Sequence, residues 1–397
     1  MILALHDMTH NSRVFKQADA LHVAGFDVTL IGIMTRSSQP LHEEHEFGRV
    51  VRVRTTKDLH AERELTVAMS SGQPERQSAV LLGIRMFMGR LRENHLLARA
   101  AVKAKPDVVI ASDLTAWIAG YIVKRRVRTP LVLDVRDLAL DSGRPYPGLF
   151  VSLYRRVEAF MVRRADAMTT VSPLFAEVFH ARYPSAPCLV PIYSGAFECV
   201  DEPQPVHHPL RLFFQGNFAP NRRLDELIIG VAGLDDIEVT LALQGFGVEE
   251  ARLRRLVSEL KAEDRIEFIP PCDVRRVVRC ASDHDVGVIN YRGDTLNLQM
   301  TVPIKLLDYM AAGLAVLASD LPGIRHIVEA EGCGMLFEPT GSDAVAAAIR
   351  SLASDRDAIE MMKANSVAAC ARYAAGRQGK SFVEVVESVM GDESRGV

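Results

Sequence analysis

The densest chemistry in this 397-residue chain lies in TVPIKLLDYMAAGLAVLASDLPG, Thr301–Gly323. Pro303 suits the first position of a helix, where its missing N–H costs nothing. The free N–H groups around Ile304 and Lys305 then make an anion site at a helix N-terminus, with Thr301 just ahead of it. Lys305 adds a point charge at that end, and Asp308, one turn on, is placed to accept hydrogen bonds from a ribose diol. A second cationic site lies in LFFQGNFAPNRRLDEL. Here an apolar strand ends at Gln215-Gly216, and Arg222 and Arg223 sit where a strand-to-helix loop enters a helix near Leu224. Guanidinium forks match phosphate oxygens. The helix dipole disfavours a cation at this end unless an anion joins it. The two segments together have the makings of a nucleoside-diphosphate clamp. The plainer alternatives are a solvated arginine pair and a Lys–Asp surface pair at helical spacing.

The other polar motifs carry less. The first strand-to-helix junction, LALHDMTHNSRVF, has no glycine between Met1 and Ala24, so it lacks the turn that lets a backbone approach a dinucleotide pyrophosphate. It offers His6, Asp7, His10, Asn11 and Arg13 instead. HEEHEF (His42–Phe47) is not H-E-x-x-H and reads as a surface loop. Asp283-His284-Asp285 precedes an apolar run and reads as a structural turn rather than a metal-binding D-x-D. Gly245-Phe246-Gly247 reads as a strand-ending turn. Six cysteines lie far apart with no C-x-x-C pair, which argues against a disulfide framework and against zinc. No metal ligands are expected.

Short aliphatic runs alternate with helix-length segments from end to end, the pattern of parallel sheets covered on both faces. The alternation breaks at DEPQPVHHPL, Asp201–Leu210, and then restarts. The expected organisation is therefore residues 1–200 as one Rossmann-like domain, 201–210 as linker, 211–376 as a second, and 377–397 as a helix crossing back to the first. Residues 1–200 carry 26 Lys+Arg against 20 Asp+Glu, and the remainder 21 against 30. That asymmetry fits two domains with different partners and not a uniformly basic nucleic-acid binder. An apolar fraction of 48% excludes disorder, and no run approaches the roughly 18–20 apolar residues of a membrane span. The N-terminus lacks a basic n-region, so a cytoplasmic protein is expected. The stretch Ile84–Lys105 intersperses arginines among apolar residues at helical spacing. A solvated helix and attachment to an anionic membrane surface are its two readings.

Thr301–Gly323, with the preceding ASDHDVGVINY, resembles the C-terminal signature of the retaining GT-B glycosyltransferases, family 4 in particular. Asp308-Tyr309-Met310-Ala311-Ala312-Gly313 fits its E-A-M-A-x-G pattern with Asp for Glu. GNFAPNRR resembles its G-R-L-x-x-x-K loop, with Gly216 as the glycine, Asn217 where Arg is usual and Arg222 as the cation; Arg223 matches no cation. PDVVIASD and TPLVLDVRD resemble its two cleft-facing N-terminal strands. The resemblance implies a GT-B fold of two Rossmann-like domains facing across a cleft, with a UDP- or GDP-sugar donor in the second. The donor residues it implies are Gly216, Asn217, Arg222, Gly245, Thr301, Pro303, Ile304, Lys305 and Asp308. Catalytic roles fall to Arg222, Lys305 and Asp113, and the acceptor side to His10, Asn11, Arg13, Arg136 and Asp137. It further implies a small-molecule, glycan or lipid-linked acceptor, no cofactor, and a peripheral place at the inner face of a membrane as one option. Met300 stands where the family's first Glu belongs and Ser112 where its cleft His does. A nucleotide-sugar epimerase or a silent nucleotide-sugar binder of the same fold are the alternatives.

Overall fold

The computed structural model describes residues 1–6, 8, 11–35, 38–55, 76–141 and 148–391. The chain divides into two compact units, Met1–Ile192 with Gly379–Val397, and Tyr193–Gln378.

In the first unit, β1 (Ile2–Leu3), α1 (Ser12–Val23), β2 (Val28–Ile33), β3 (His42–His45) and β4 (Gly48–Val53) precede the long α2 (Arg76–Ala104). Then come β5 (Val109–Ser112), α3 (Asp113–Val127), β6 (Leu131–Val135), α4 (Gly148–Val162), β7 (Ala167–Thr170), α5 (Pro173–Arg182) and β8 (Leu189–Pro191). The sheet order is β3-β4-β2-β1-β5-β6-β7-β8, and it is parallel except that β3 runs antiparallel to β4. Its central strands are apolar but for Ser112 and Asp134, as strands covered on both faces by helices must largely be: all of Val109–Ser112 and Leu131–Val135 are buried. Asn11 caps α1 by accepting the Val14 N–H at 3.2 Å, and Gly25, at φ +91°, turns the chain out of it. His42–His45, read from sequence as a loop, is an edge strand; its alternation of exposed and half-buried residues is that of a sheet margin.

The second unit holds β9 (Leu210–Asn217), α6 (Leu224–Ala232), β10 (Val239–Phe246), α7 (Glu250–Glu259), β11 (Ile266–Ile269), α8 (Val277–Ala281) and β12 (Val286–Ile289). α9 (Leu296–Met300), α10 (Ile304–Ala311), β13 (Ala315–Ser319), α11 (Pro322–Glu331), β14 (Gly334–Phe337), α12 (Ser342–Ala353) and α13 (Arg356–Tyr373) complete it. Its all-parallel sheet runs β11-β10-β9-β12-β13-β14. The last helix, α14 (Ala375–Met390), starts here and from Gly379 onward counts with the first unit, where Phe382, Val385 and Val386 enter the core.

Two expectations are corrected. The Pro-rich segment Asp201–Leu210 is not a linker: the units part at Ile192–Tyr193, and the segment is pinned to the second. Val206 joins that unit's core, and His207 gives its backbone N–H to Asp285 Oδ1 at 3.1 Å, with its Nδ1 3.0 Å from the same oxygen. Asp285 is fully buried and also takes the Lys363 ammonium at 3.0 Å, so the carboxylate acts as a structural anchor. The cysteines, read as unpaired, include a disulfide, Cys199–Cys370, with 6.4 Å between Cα atoms. The two residues are 171 positions apart, which is why local spacing gave no hint of it. Among the described residues no helix is long and apolar enough to cross a membrane.

Candidate functional site

In the second unit β9 and β10 end side by side, with Gly216 opposite Gly245 in the ladder. Both have positive φ, +136° and +150°, and a Cβ on Gly245 would fall 1.9 Å from the Gly216 carbonyl oxygen. Only glycine permits this approach. Against the same strand end lies Lys305, 8% exposed. Its Nζ sits 3.7 Å from the Phe214 ring centroid and has no hydrogen-bond partner among the described residues. Burial first, and the nearby Arg222 charge second, hold its pKa well below the ordinary lysine value, with Asp308 opposing them. The Arg222 guanidinium stands 4.6 Å over the Tyr291 ring, and Lys305 Nζ is 5.9 Å from that ring. Tyr291 is therefore a buried aromatic that serves both cations. A guanidinium and a buried amine without a hydrogen-bond partner are thus held on one aromatic ring, an arrangement that an anion entering the space would stabilise.

Helix α10 presents Lys305 because several close contacts fix it. Its Tyr309 hydroxyl accepts the Gln215 N–H at 3.0 Å, tying the helix to the residue before Gly216. The Tyr309 ring fills the space that Gly287 leaves open, where a Cβ would stand 2.2 Å away. Pro303 is the N-cap residue and not the first helical one, a shift of one position from expectation. The N–H groups of Ile304 and Lys305 still open the helix with no acceptor inside it. Thr301 is half-buried, its carbonyl resting against Gly323, where a Cβ would come within 2.4 Å. Asp308 is buried on the same helix, and Asn217 is exposed at the end of β9. The arginine pair divides its labour. Arg222 faces Tyr291, while Arg223 gives its guanidinium to Glu226 at 2.6 Å, so the solvated-pair alternative does not apply.

The first unit gathers a separate polar cluster where β1, β5 and β6 end. Asp113, the first residue of α3, adopts φ +63°, a strained conformation for a side-chain-bearing residue. Its carboxylate takes both edges of the Arg136 guanidinium, Nε at 2.9 Å, and Arg136 also donates to Asn11 Oδ1 at 2.9 Å. Burial works against the Arg136 charge, but Asp113 more than restores it and its pKa is raised. Asp137 is exposed beside it.

Arg13, assigned from sequence to the acceptor side, is corrected. It is 3% exposed, and its guanidinium binds Asp134 at 3.0 and 2.7 Å and the Ile192 and Thr170 carbonyls at 2.5 and 3.2 Å. It neutralises a fully buried carboxylate and is structural. His10 lies outside the described residues. Asp134, Glu226 and Tyr291 were missed by sequence reasoning. Asp134 leaves one trace, a carboxylate inside an otherwise apolar run; Glu226 and Tyr291 leave none.

Residues 201–368 match the family model for glycosyl transferases group 1, and residues 10–195 that for a glycosyl transferase 4-like domain. The putative colanic acid biosynthesis glycosyltransferase WcaL of Salmonella typhimurium is 31% identical over 120 residues, which is 29% of this chain and 29% of that protein. Among solved structures, sucrose-phosphate synthase of Thermosynechococcus elongatus superimposes with a TM-score of 0.75 at 17% identity over 99% of each chain. Anabaena HepE in complex with UDP-glucose gives 0.69 at 16% identity over 98% of each. At such identities the likeness is one of fold, the GT-B architecture of two Rossmann-like units. With one family model matched in each unit, the chain belongs to the group 1 glycosyltransferases of GT-B fold, similar to family 4.

Proposed function

We propose that the protein transfers a sugar from a nucleotide-diphosphate sugar, UDP- or GDP-linked, to an acceptor hydroxyl. In this reading the donor diphosphate lies in the second unit between Arg222 and Lys305, with the N–H groups of Ile304 and Lys305 beside it. The observation that carries it is the buried Lys305 ammonium without a partner, placed against Arg222. Negative charge grows on the departing diphosphate as the glycosidic bond breaks, and fixed cations in a dry site stabilise it. The Anabaena relative, solved with UDP, with UDP-glucose and with UDP and glucose, supports this donor class. Retention of configuration is carried over from the family resemblance, and a glycan acceptor from the colanic-acid relative. Protein cations supply the countercharge, so no divalent metal is required.

The acceptor is assigned to the first unit, whose Asp113–Arg136–Asn11 cluster offers a carboxylate and a guanidinium at strand ends. Lipid-linked acceptors fit its surface as well. Ile84, Met88, Leu153 and Phe160 are 48, 58, 37 and 40% exposed, and an edge contact of Phe87 with Tyr154 at 5.7 Å joins α2 to α4. The test is incubation with a panel of UDP- and GDP-sugars, with and without EDTA. Release of free nucleotide diphosphate from one donor, undiminished by EDTA, supports the proposal. No release from any donor contradicts it.

A further inference from the structure

Three consecutive residues after β12 hold three positions around the start of α6. Tyr291 lies under the Arg222 guanidinium at 4.6 Å. Asn290 Nδ2 donates to the Arg223 carbonyl at 3.1 Å and to Glu226 Oε2 at 3.3 Å. Arg292 reaches Glu226 Oε1 at 2.6 Å, the oxygen that also takes Arg223 at 2.6 Å. Glu226 itself is 6% exposed. Arg223 sits at φ +48°, a left-handed conformation that glycine adopts more readily. An arginine is kept where the backbone asks for glycine, and its side chain is spent on an inward carboxylate. The partner contacts explain why the strained turn persists.

We propose that Glu226 is the positioning residue of the donor site. It clamps the Arg222–Arg223 turn against Asn290–Arg292 and so holds the Arg222 guanidinium on Tyr291, beside Lys305. The inference rests on the reading of Arg222 and Lys305 as the diphosphate site. Glu226 touches no phosphate in this scheme; it acts through Arg222. The low pKa of its carboxyl, which burial raises but Arg223 and Arg292 bring down, keeps the clamp charged.

The sign of the mutational effect separates positioning from bulk electrostatics. Removing a negative charge from a cationic site should tighten anion binding if only the field matters. Loss of the clamp should weaken it. Glu226→Gln removes the charge, while Glu226→Asp keeps the charge and shortens the reach, so any loss in the second variant is geometric.

The experiment is calorimetric titration of UDP and GDP, and of uridine and guanosine, into the wild type, E226Q, E226D, R222A and the E226Q/R222A double variant, with circular dichroism to verify folding. For the diphosphate that the wild type binds, E226Q and E226D should each weaken affinity by roughly 5- to 30-fold. Affinity for the matching nucleoside should change less than about twofold, and E226Q should add less than about twofold in the R222A background. A merely structural role would move nucleoside and diphosphate alike and would add to R222A. Unchanged or tighter diphosphate binding in folded E226Q and E226D, with R222A weakened, overturns the inference and leaves the diphosphate site standing. Wild-type affinity in R222A removes the site itself, and the inference with it. If E226Q does not fold, E226D carries the test.

Discussion

A Cβ on Gly216 would stand 3.1 Å from the Lys305 Nζ, so the strand end and the buried amine share one small space. Gly216 also sits at φ +136°. Gly216→Ala should therefore displace the lysine and strain the backbone, costing about 1–3 kcal/mol of stability. It should weaken UDP or GDP binding by at least about tenfold, since one hydrogen bond to a charged group is worth roughly 1.5–3 kcal/mol. Denaturant unfolding and calorimetry measure the two effects. Wild-type affinity in the folded variant would show that the strand end does not shape the site.

Lys305 predicts a proton signature. Its pKa is lowered in the fold by burial and by Arg222, so between that value and the ordinary lysine range the unfolded chain binds more protons than the native one. Stability should accordingly gain from this group as pH rises through that window. An anion beside it favours the charged amine and reverses the shift. Within that window, and above the terminal phosphate's pKa of about 6, UDP or GDP binding should take up a fraction of a proton, and affinity should fall as pH rises further. Calorimetry in buffers of different ionisation enthalpy reads the uptake. Proton release, or an uptake unaltered in Lys305→Met, would exclude Lys305 as the acceptor of that proton.

Arg13 and Asp134 should matter to stability. Both are at least nine-tenths buried and bidentately paired. Breaking such a pair from one side leaves an uncompensated charge, so Arg13→Met should cost about 3–5 kcal/mol. The Asp134 carboxyl is raised by burial, but Arg13 outweighs this and its pKa is lowered overall. That part of the stability is present above the ordinary aspartate value and is lost as pH falls below it, in the acid range only. Thermal unfolding from pH 7 to pH 3 should show the variant's deficit shrinking at the acid end. A deficit constant with pH would mean the lost packing, not the charge, dominates.

Cys199 and Cys370 close a loop across most of the second unit. Under denaturing, non-reducing conditions the protein should show four free thiols, Cys188, Cys272, Cys280 and Cys333, and six after reduction. Reduction should cost roughly 2–5 kcal/mol in unfolding measurements. Six thiols without reductant would contradict the pairing.

The alternation of apolar runs and helices made the two α/β units legible because parallel strands buried on both faces must be mostly apolar. The placement of the two residues proposed to hold the diphosphate was legible for a related reason. Lys305 lies in the first turn of α10 and Arg222 two residues ahead of α6, which is poor placement for a cation on its own. The misplaced features all depend on contacts between residues distant in sequence. Arg13 looked like a loop cation because its partner Asp134 is far along the chain, inside an apolar strand. The 201–210 segment looked like a linker because Asp285, which anchors it, is equally remote. Cys199 and Cys370 have no local pattern at all. Glu226 was hidden by its helix, where a carboxylate at the first turn is ordinary.

Whether a nucleotide diphosphate is held between Arg222 and Lys305 is decided most directly by one variant measured in two ways. Lys305→Met should be more stable than the wild type by about 1–3 kcal/mol, because it removes a buried amine that has no partner in the ligand-free protein. The same variant should lose roughly 10- to 150-fold in affinity for the UDP or GDP that the wild type binds. Gain of stability together with loss of binding is the predicted result. Undiminished nucleotide affinity in the folded variant would contradict it.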